Sequence, residues 1–425
     1  MKKLILLSLL SVVIFSGCGS SDNQDNNQNN NQKMIAITGQ ISSPSKSNVQ
    51  HIKYDTPTLA NAAKVLVFYG NKYALTNITN GSFITQAPEG SASCLVFLDA
   101  NNQFIGNLFA GGINVLPLVN LGSTTSIDLS TLTLDGTRVI PANDPIGSTI
   151  QLTTQELDFL NNVGVYYQTL AKNIDMDNDG SPDILNGDQI RVNSVINMRA
   201  GTFGTDTKQV QMLAPANFVV NTGIRMAGAI GMYDKNFTTT FSGPAGTPYT
   251  DIQTSWSTQA QDEFIFICSR MDKPGGIGQY PTRPFADGVY SFQLNKNQLY
   301  TFNFSNINMQ NYLMIIKPTI HTDNNGYITK ISYEFVFPDG TPADPRNLIQ
   351  GYIRTQIGNN TGTQLYEGHP LYGTFSADGN YDYYNESIGT KINISNVNQC
   401  NFAFIDILGN EYEYSWVDDM SKYKN

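Results

Sequence analysis

The sequence contains little charge, and its basic residues form no cluster. Lys, Arg, Asp and Glu account for 14% of the 425 residues, whereas about 25% is usual in soluble proteins. The formal net charge is −10. Nucleic acids and anionic lipid surfaces attract basic patches, and this chain lacks the feature by which either would bind it electrostatically. We therefore expect no nucleic-acid partner.

Long apolar runs and clusters of metal-binding cysteine or histidine are also missing. Beyond Phe15 no apolar run approaches the ~18 residues of a membrane-spanning helix. His51, His321 and His369 stand far apart in the sequence, and no two cysteines have the spacing of zinc ligands. The body of the chain is therefore predicted to contain neither a spanning helix nor a zinc site.

Residues 1–17 have the layout of a signal peptide, since two lysines, an apolar stretch at residues 4–15 and two small residues precede Cys18. An apolar run of about twelve residues is too short to cross a ~30 Å hydrocarbon core, which favours cleavage. The sequence Phe-Ser-Gly-Cys at residues 15–18 resembles the lipobox of bacterial lipoproteins, although Phe15 stands where that family usually has Leu. The resemblance implies lipid on Cys18 and attachment to a membrane. An ordinary signal peptide that ends near a cysteine is the alternative.

Residues 18–33 follow as a polar segment that consists mostly of Ser, Asp, Asn and Gln. Such a composition offers no apolar side chain for a core, so we predict a disordered tether. A flexible chain of about fourteen residues reaches roughly 20 Å, enough to hold a folded domain clear of the headgroups. The expected location is the bacterial cell envelope, at the outer membrane or the cell surface.

Three cysteines remain beyond Cys18, an odd number for an oxidising compartment. Cys94, Cys268 and Cys400 each stand beside a strand-like apolar run, which favours buried free thiols. At most one disulfide can form. Whether Cys268 and Cys400 pair stays open.

Residues 34–135 alternate short β-rich runs with turn signals, of which Asn80-Gly81 is a hairpin signal. The sequence Asn-Gly-Ser-Phe at residues 80–83, followed by Ala-Pro-Glu-Gly at residues 87–90 and a Leu-Val-Phe strand, resembles the transthyretin-like or carboxypeptidase-regulatory β-sandwich. The resemblance implies a sandwich domain without catalysis of its own.

Residues 136–195 contain the one convincing helix signal. Thr153 and Glu156 have the spacing of a capping box, and apolar residues then recur at three- and four-residue steps. We predict a helix over residues 154–172 that leads into an acidic loop.

Beyond residue 195 the sequence alternates strands and turns to its end, and its length predicts two further domains, at residues 196–308 and 309–425. Turn pairs such as Asn325-Gly326 recur at a spacing typical of sandwiches. The expected fold class is mainly β. It consists of several antiparallel β-sandwich domains in tandem, with one short helix plus calcium-loop segment between the first and the second.

The acidic loop, residues 175–183, is the strongest chemical signal. Carboxylates at loop positions 1, 3, 5 and 9 with Gly180 at position 6 resemble an EF-hand, which implies bound calcium of structural importance. Position 12, where the family has Glu, is Asn186, and Asp188 follows as a substitute ligand. A solvated acidic turn without an ion is the alternative, although crowded carboxylates repel one another. The expected ligands are Asp175, Asp177, Asp179, Ser181, Asp183 and Asp188.

No nucleophile elbow, catalytic cysteine with histidine or zinc-protease motif occurs in the sequence. We therefore expect a non-enzymatic, lipid-anchored envelope protein that binds or scaffolds a surface glycan or a protein. One alternative is a carbohydrate-binding accessory lipoprotein with exposed tyrosines, although packing inside a sandwich also explains them. A second alternative is a hydrolase with an unrecognised acid pair. The tyrosines concerned are Tyr366, Tyr372, Tyr381, Tyr383 and Tyr384.

Overall fold

The fold is known from a computed structural model, and the predicted signal peptide, Cys18 and nearly all of the tether lie outside the residues that it describes. The described residues are 33–41, 58–69, 72–163, 174–185, 191–203, 210–212, 219–229, 240–244, 253–257, 263–269, 287–293, 299–304, 312–349, 354–358, 364–368, 381–383, 391–397 and 399–417.

The first sheet is built from the nine strands nearest the amino terminus. They are β1 Met34–Ile41, β2 Lys64–Tyr69, β3 Lys72–Asn77, β4 Ser82–Pro88, β5 Ala92–Leu98, β6 Phe104–Leu108, β7 Leu116–Pro117, β8 Ser126–Asp135 and β9 Arg138–Pro141. Their order is β3-β2-β5-β6-β9-β8-β1-β4, with β7 beside β5. The sheet thus extends to Pro141, past the predicted domain end at residue 135, because β9 pairs with both β8 and β6.

The core of this sheet lies around β5, every residue of which is buried. The Phe83 ring on β4 meets the Phe97 ring on β5 edge-on, with centroids 5.8 Å apart. The hydroxyls of Thr76 on β3 and Thr85 on β4 are hydrogen-bonded at 3.2 Å, so the two edge strands approach each other. Asn80 has φ 51° and the following glycine φ 75°, as a two-residue hairpin turn requires. The predicted turn at Asn80-Gly81 is therefore present and is closed by an isolated bridge between Thr79 and Ser82. The strands on either side of it do not form a hairpin, because β3 pairs with β2 and β4 pairs with β1.

Helix α1, Thr154–Asn162, follows the first sheet and begins where the sequence predicted. The Thr153 hydroxyl accepts a hydrogen bond from the Glu156 N–H, and the Glu156 carboxylate accepts one from the Thr153 N–H. This is the predicted capping box. The helix buries Phe159 and Leu160 in the core. Its predicted continuation over residues 164–172 lies outside the described residues.

The remaining strands form one large sheet and two small ones. The strands are β10 Arg191–Phe203, β11 Val210–Met212, β12 Val219–Ala229, β13 Thr240–Ser242, β14 Gln253–Ser257, β15 Glu263–Ser269, β16 Gly288–Gln293, β17 Leu299–Phe304, β18 Ile315–Thr322, β19 Ile328–Val336, β20 Arg354–Gly358, β21 Gln364–Gly368, β22 Tyr381–Tyr383, β23 Gln399–Ile405 and β24 Glu411–Val417. The large sheet has the order β14-β15-β12-β10-β24-β23-β20-β21, with β11 beside β10. The small sheets are β13-β16-β17 and β18-β19-β22.

The large sheet includes strands from both predicted segments, residues 196–308 and 309–425. Its centre is a parallel pair between β10 and β24, in which Val195 lies opposite Glu411 and Thr202 opposite Val417. The two predicted domains therefore share one sheet. Parallel pairing of distant strands leaves no local sequence pattern, whereas a hairpin does.

Short helical segments complete the described chain. They are α2 Pro345–Leu348 and the single 3-10 turns Leu59–Asn61, Asp183–Leu185 and Ile394–Asn396. None of the helices in the described part of the chain combines the length and the apolar character that a bilayer span requires.

The mainly β fold class is confirmed. The strand pairs are not all antiparallel, however, because β1 with β8, β6 with β9 and β10 with β24 are parallel.

Candidate metal centre

The acidic loop follows α1 and alternates buried apolar residues with carboxylates. Ile174 and Met176 are buried in the core. Asp175, which lies between them, and Asp177, which follows Met176, are half-buried. This alternation anchors the loop through its apolar side chains. It leaves the two carboxylates on the other side of the backbone, where they can converge.

The loop is closed by hydrogen bonds from its own backbone to its carboxylates. Asp175 accepts from the N–H of Asp179 at 3.0 Å and from that of Gly180 at 2.9 Å. Asn178 and Gly180 adopt φ 61° and 87°, left-handed conformations that Asn and Gly tolerate best. The sharp turn around Gly180 is the feature that the EF-hand resemblance predicted.

Three carboxylates converge in this turn. Asp175, Asp177 and Asp183 each offer one oxygen, and these oxygens all lie within 4.8 Å of one another. The three residues can therefore hold a metal ion.

Asp183 is the deepest member of the group, with 1% of its surface exposed. Its Oδ2 accepts a hydrogen bond from the Met176 N–H at 2.8 Å, but its buried Oδ1 has no hydrogen-bond partner in the part of the chain that the structure describes. Buried polar atoms are nearly always satisfied, and an unsatisfied one costs about 1–3 kcal/mol. A cation coordinated by Oδ1 would remove that cost.

The electrostatics of the loop also favour a cation. Burial raises the pKa of Asp183 to about 8, the Met176 N–H opposes this rise, and the neighbouring aspartates add to it. Burial likewise raises the pKa of Asp177, with further contributions from the carboxylates of Asp179 and Asp175. The sequence has no basic residue from Ile174 to Leu185. A cation would supply the opposite charge that the loop itself does not carry.

The three other predicted ligands are Asp179, Ser181 and Asp188. The Asp179 carboxylate is exposed and accepts a hydrogen bond from the Ser181 N–H at 2.7 Å, so it turns back onto the loop. Ser181 is buried. Asp188 lies outside the described residues.

Two contacts of the loop with other sheets have no counterpart in the sequence analysis. The Gly180 carbonyl accepts a hydrogen bond from the Phe104 N–H at 3.1 Å, and the Met176 carbonyl accepts one from the Thr301 N–H at 2.7 Å. Phe104 begins β6 and Thr301 belongs to β17. Neither residue stands near the loop in the sequence, so no local pattern could have identified them.

The other predicted candidates are only partly described. Cys94 is a buried free thiol whose Sγ donates to the Asn114 carbonyl, and burial raises its pKa well above the ordinary value. The backbones of Cys268 and Cys400 belong to β15 and β23. Among the tyrosines, the backbones of three belong to β21 and β22, and the other two lie outside the described residues. Those in strands are Tyr366, Tyr381 and Tyr383, and those outside are Tyr372 and Tyr384.

Comparison with known proteins assigns this chain to no family. No family model and no curated protein matches the chain. Among solved structures, a tetra-tandem repeat in the extending region of a large adhesion protein matches with a TM-score of 0.16 and 9% identity, over 90% of this chain and 73% of that one. Trypsin-activated alpha-2-macroglobulin from Escherichia coli matches with a TM-score of 0.16 and 10% identity, over 85% of this chain and 22% of that one.

Dimeric latent PorU from Porphyromonas gingivalis matches with a TM-score of 0.15 and 9% identity, over 85% of this chain and 30% of that one. Superpositions with such low scores carry no argument about function. The mainly β fold class of this chain follows from its own strands and sheets.

Proposed function

We propose that this chain is a lipid-anchored envelope protein with a non-enzymatic binding or scaffolding role, whose body of β-sandwich domains is stabilised by one calcium ion. The ion is held by Asp175, Asp177 and Asp183, and the partner is a surface glycan or another protein at the outer membrane or cell surface. The observation that supports the calcium site is the convergence of three carboxylates in which the buried Asp183 Oδ1 has no hydrogen-bond partner among the described residues.

Calcium suits these ligands better than the other common cations. Hard divalent cations prefer oxygen ligands, and calcium tolerates an irregular set of six to eight of them, whereas magnesium requires a tight octahedron. Asn186 occupies the position of the bidentate Glu of an EF-hand. Affinity is therefore expected in the weak extracellular range, with a Kd of about 10⁻⁴ to 10⁻³ M.

Asp183→Asn is expected to weaken calcium binding at least about tenfold, because ligand charge tunes the affinity of such sites. The variant should fold, since Asn has nearly the same shape as Asp and retains an oxygen for the Met176 N–H. Titration calorimetry of the full chain in detergent measures the effect.

The matched control for this variant is Asp339→Asn. Asp339 also lies in a turn and accepts a hydrogen bond from the Thr341 N–H, but it is exposed and far from the loop in the sequence. Its substitution should leave the calcium heat unchanged. An equal heat signal from Asp183→Asn and from the unsubstituted chain would contradict the proposed site.

The lipid anchor predicts a separate result in the bacterial cell. Cys18→Ser should abolish acylation and leave uncleaved precursor, because the Cys18 sulfur is the atom to which the lipid would be attached. Metabolic labelling with a fatty acid measures this, with Ser21→Ala as the control, which should remain labelled. Label retained in Cys18→Ser would refute the anchor without bearing on the calcium site.

A further inference from the structure

The two loop residues that bind the neighbouring sheets also bind the proposed metal ligands. Met176 donates its N–H to Asp183 Oδ2 at 2.8 Å and accepts at its carbonyl from the Thr301 N–H at 2.7 Å. Gly180 donates its N–H to Asp175 Oδ2 at 2.9 Å and accepts at its carbonyl from the Phe104 N–H at 3.1 Å. Each residue therefore links one carboxylate of the cluster to one strand of another sheet.

Side-chain contacts accompany both links. A Cβ at Gly180 would collide with the Gln103 side-chain oxygen, so the loop backbone lies directly against the turn that precedes β6. On the other side, the Thr301 hydroxyl donates to the Met176 carbonyl at 3.4 Å, and Asn178 Nδ2 lies 3.5 Å from that hydroxyl. The loop thus contacts the first sheet through β6 and the sheet β13-β16-β17 through β17.

The charges of the clustered carboxylates affect both of these hydrogen-bonded links. Without a cation, the charges of Asp175 and Asp177 repel each other, any charge on Asp183 adds to that repulsion, and separation of the carboxylates relieves it. Because the Met176 and Gly180 N–H groups are bound to two of these carboxylates, separation also displaces the carbonyls of the same residues. A divalent cation holds the carboxylates together, and with them both carbonyls.

We propose that the acidic loop is a calcium-dependent clamp between the first sheet and the sheet β13-β16-β17. This inference rests on the proposed calcium site and concerns what occupancy of that site controls. At millimolar calcium outside the cell, the two sheets are joined through Met176 and Gly180. When calcium is removed, the same two hydrogen bonds open while each sheet keeps its own strand pairing.

Hydrogen exchange of two amides tests the clamp directly. The N–H groups of Phe104 and Thr301 should exchange about tenfold more slowly at a calcium concentration ten times the Kd than in EDTA. The reason is that a ligand bound only to the closed state reduces opening by a factor of 1 + [Ca²⁺]/Kd. Exchange in the β18–β19 hairpin, residues 315–336, serves as an internal reference and should change little. The sample is the full chain in detergent, and its calcium heat is measured in parallel.

The outcomes separate the clamp from the site on which it rests. Slower exchange at Phe104 and Thr301, lost in Asp183→Asn and kept in Asp339→Asn, supports the clamp. A calcium heat without a change at these amides overturns the clamp and leaves the calcium site intact. Equal slowing in the reference hairpin overturns the clamp in favour of general stabilisation. Absence of any calcium heat overturns both proposals.

Discussion

Asp406→Ala is expected to lower the free energy of unfolding by about 3–5 kcal/mol, because several buried donors that each cost about 1–3 kcal/mol would lose their acceptor. The Asp406 carboxylate is fully buried. Its Oδ1 accepts hydrogen bonds from the N–H groups of Leu408 and Asn410, at 2.8 and 2.9 Å. Its Oδ2 accepts from Asn410 Nδ2 and from the Tyr412 hydroxyl, both at 2.9 Å. Denaturation with urea measures the loss.

The position of Asp406 explains why the effect should reach beyond one turn. The carboxylate organises the turn between β23 and β24, and β24 is the strand that pairs with β10 at the centre of the large sheet. The Ile407 N–H donates to the Leu348 carbonyl at 2.9 Å, at the end of α2. Asn410 Nδ2 also donates to the Val163 carbonyl at 3.5 Å, at the end of α1. Loss of this turn therefore weakens the contacts of both helices with the sheet.

Asp406 also predicts a dependence of stability on pH. Burial raises its pKa from 3.8 to about 6, although the surrounding donors oppose the rise. The folded state then holds this proton more tightly than the unfolded chain does. The resulting stabilisation is present below about pH 4 and is lost as the pH rises to about 6. A shift of this size corresponds to roughly 3 kcal/mol.

Asp406→Asn isolates this contribution, because the amide cannot ionise. The difference in unfolding free energy between the unsubstituted chain and the variant should shrink as the pH rises from 4 to 7. All other titrating groups are common to both proteins and cancel in the difference. A difference that stays constant, or grows, across this pH range would show that the Asp406 pKa is not raised.

Local patterns in the sequence predicted the local structure. The capping box of Thr153 and Glu156 and the tight turn at Asn80 are set by residues no more than four positions apart, and both are present. The spacing of the acidic loop likewise predicted the close approach of Asp175 and Asp183. In each case the interacting groups are neighbours in the chain, so their spacing constrains their geometry.

Long-range pairing left no comparable signal. The parallel partner of β10 begins at Glu411, more than two hundred positions away, and nothing in either strand specifies the other. The bonds of the acidic loop to Phe104 and Thr301 use backbone groups, which every residue of those strands carries. The sequence predicted only one of the two interactions of Glu156. Its capping bond follows from spacing, but its second partner, Asn347, lies in α2.

Glu156 belongs to a chain of polar residues that joins three parts of the fold. Its Oε2 accepts from the Thr153 N–H at 2.7 Å, and its Oε1 accepts from Asn347 Nδ2 at 3.0 Å. Asn347 Oδ1 in turn accepts from Asn120 Nδ2 at 2.5 Å, in the segment between β7 and β8. Glu156 is 1% exposed and Asn347 is 5% exposed. The hydrogen bonds thus connect α1, α2 and the segment that precedes β8, and the pair at their centre is buried.

Glu156→Ala is therefore expected to lower the free energy of unfolding by about 2–4 kcal/mol. About 1 kcal/mol follows from loss of the cap, and about 1–3 kcal/mol from the buried Asn347 amide that would lose its acceptor. Urea denaturation of Glu156→Ala, Asn347→Ala and the double variant gives the coupling between the two side chains. That coupling should be about 1.5–3 kcal/mol, as for a hydrogen bond to a charged group.

Two further variants test whether the effect comes from this pair. Asn161→Ala changes an exposed residue of the same helix and should cost nothing, since Ala has the higher helix propensity. Glu156→Gln should lie between the unsubstituted chain and Glu156→Ala. Its single oxygen can accept from only one of the Thr153 and Asn347 donors, and its NH₂ group must face the other. Additive losses in the double variant would mean that Glu156 acts as a helix cap alone and that α1 and α2 are held together by their apolar contacts.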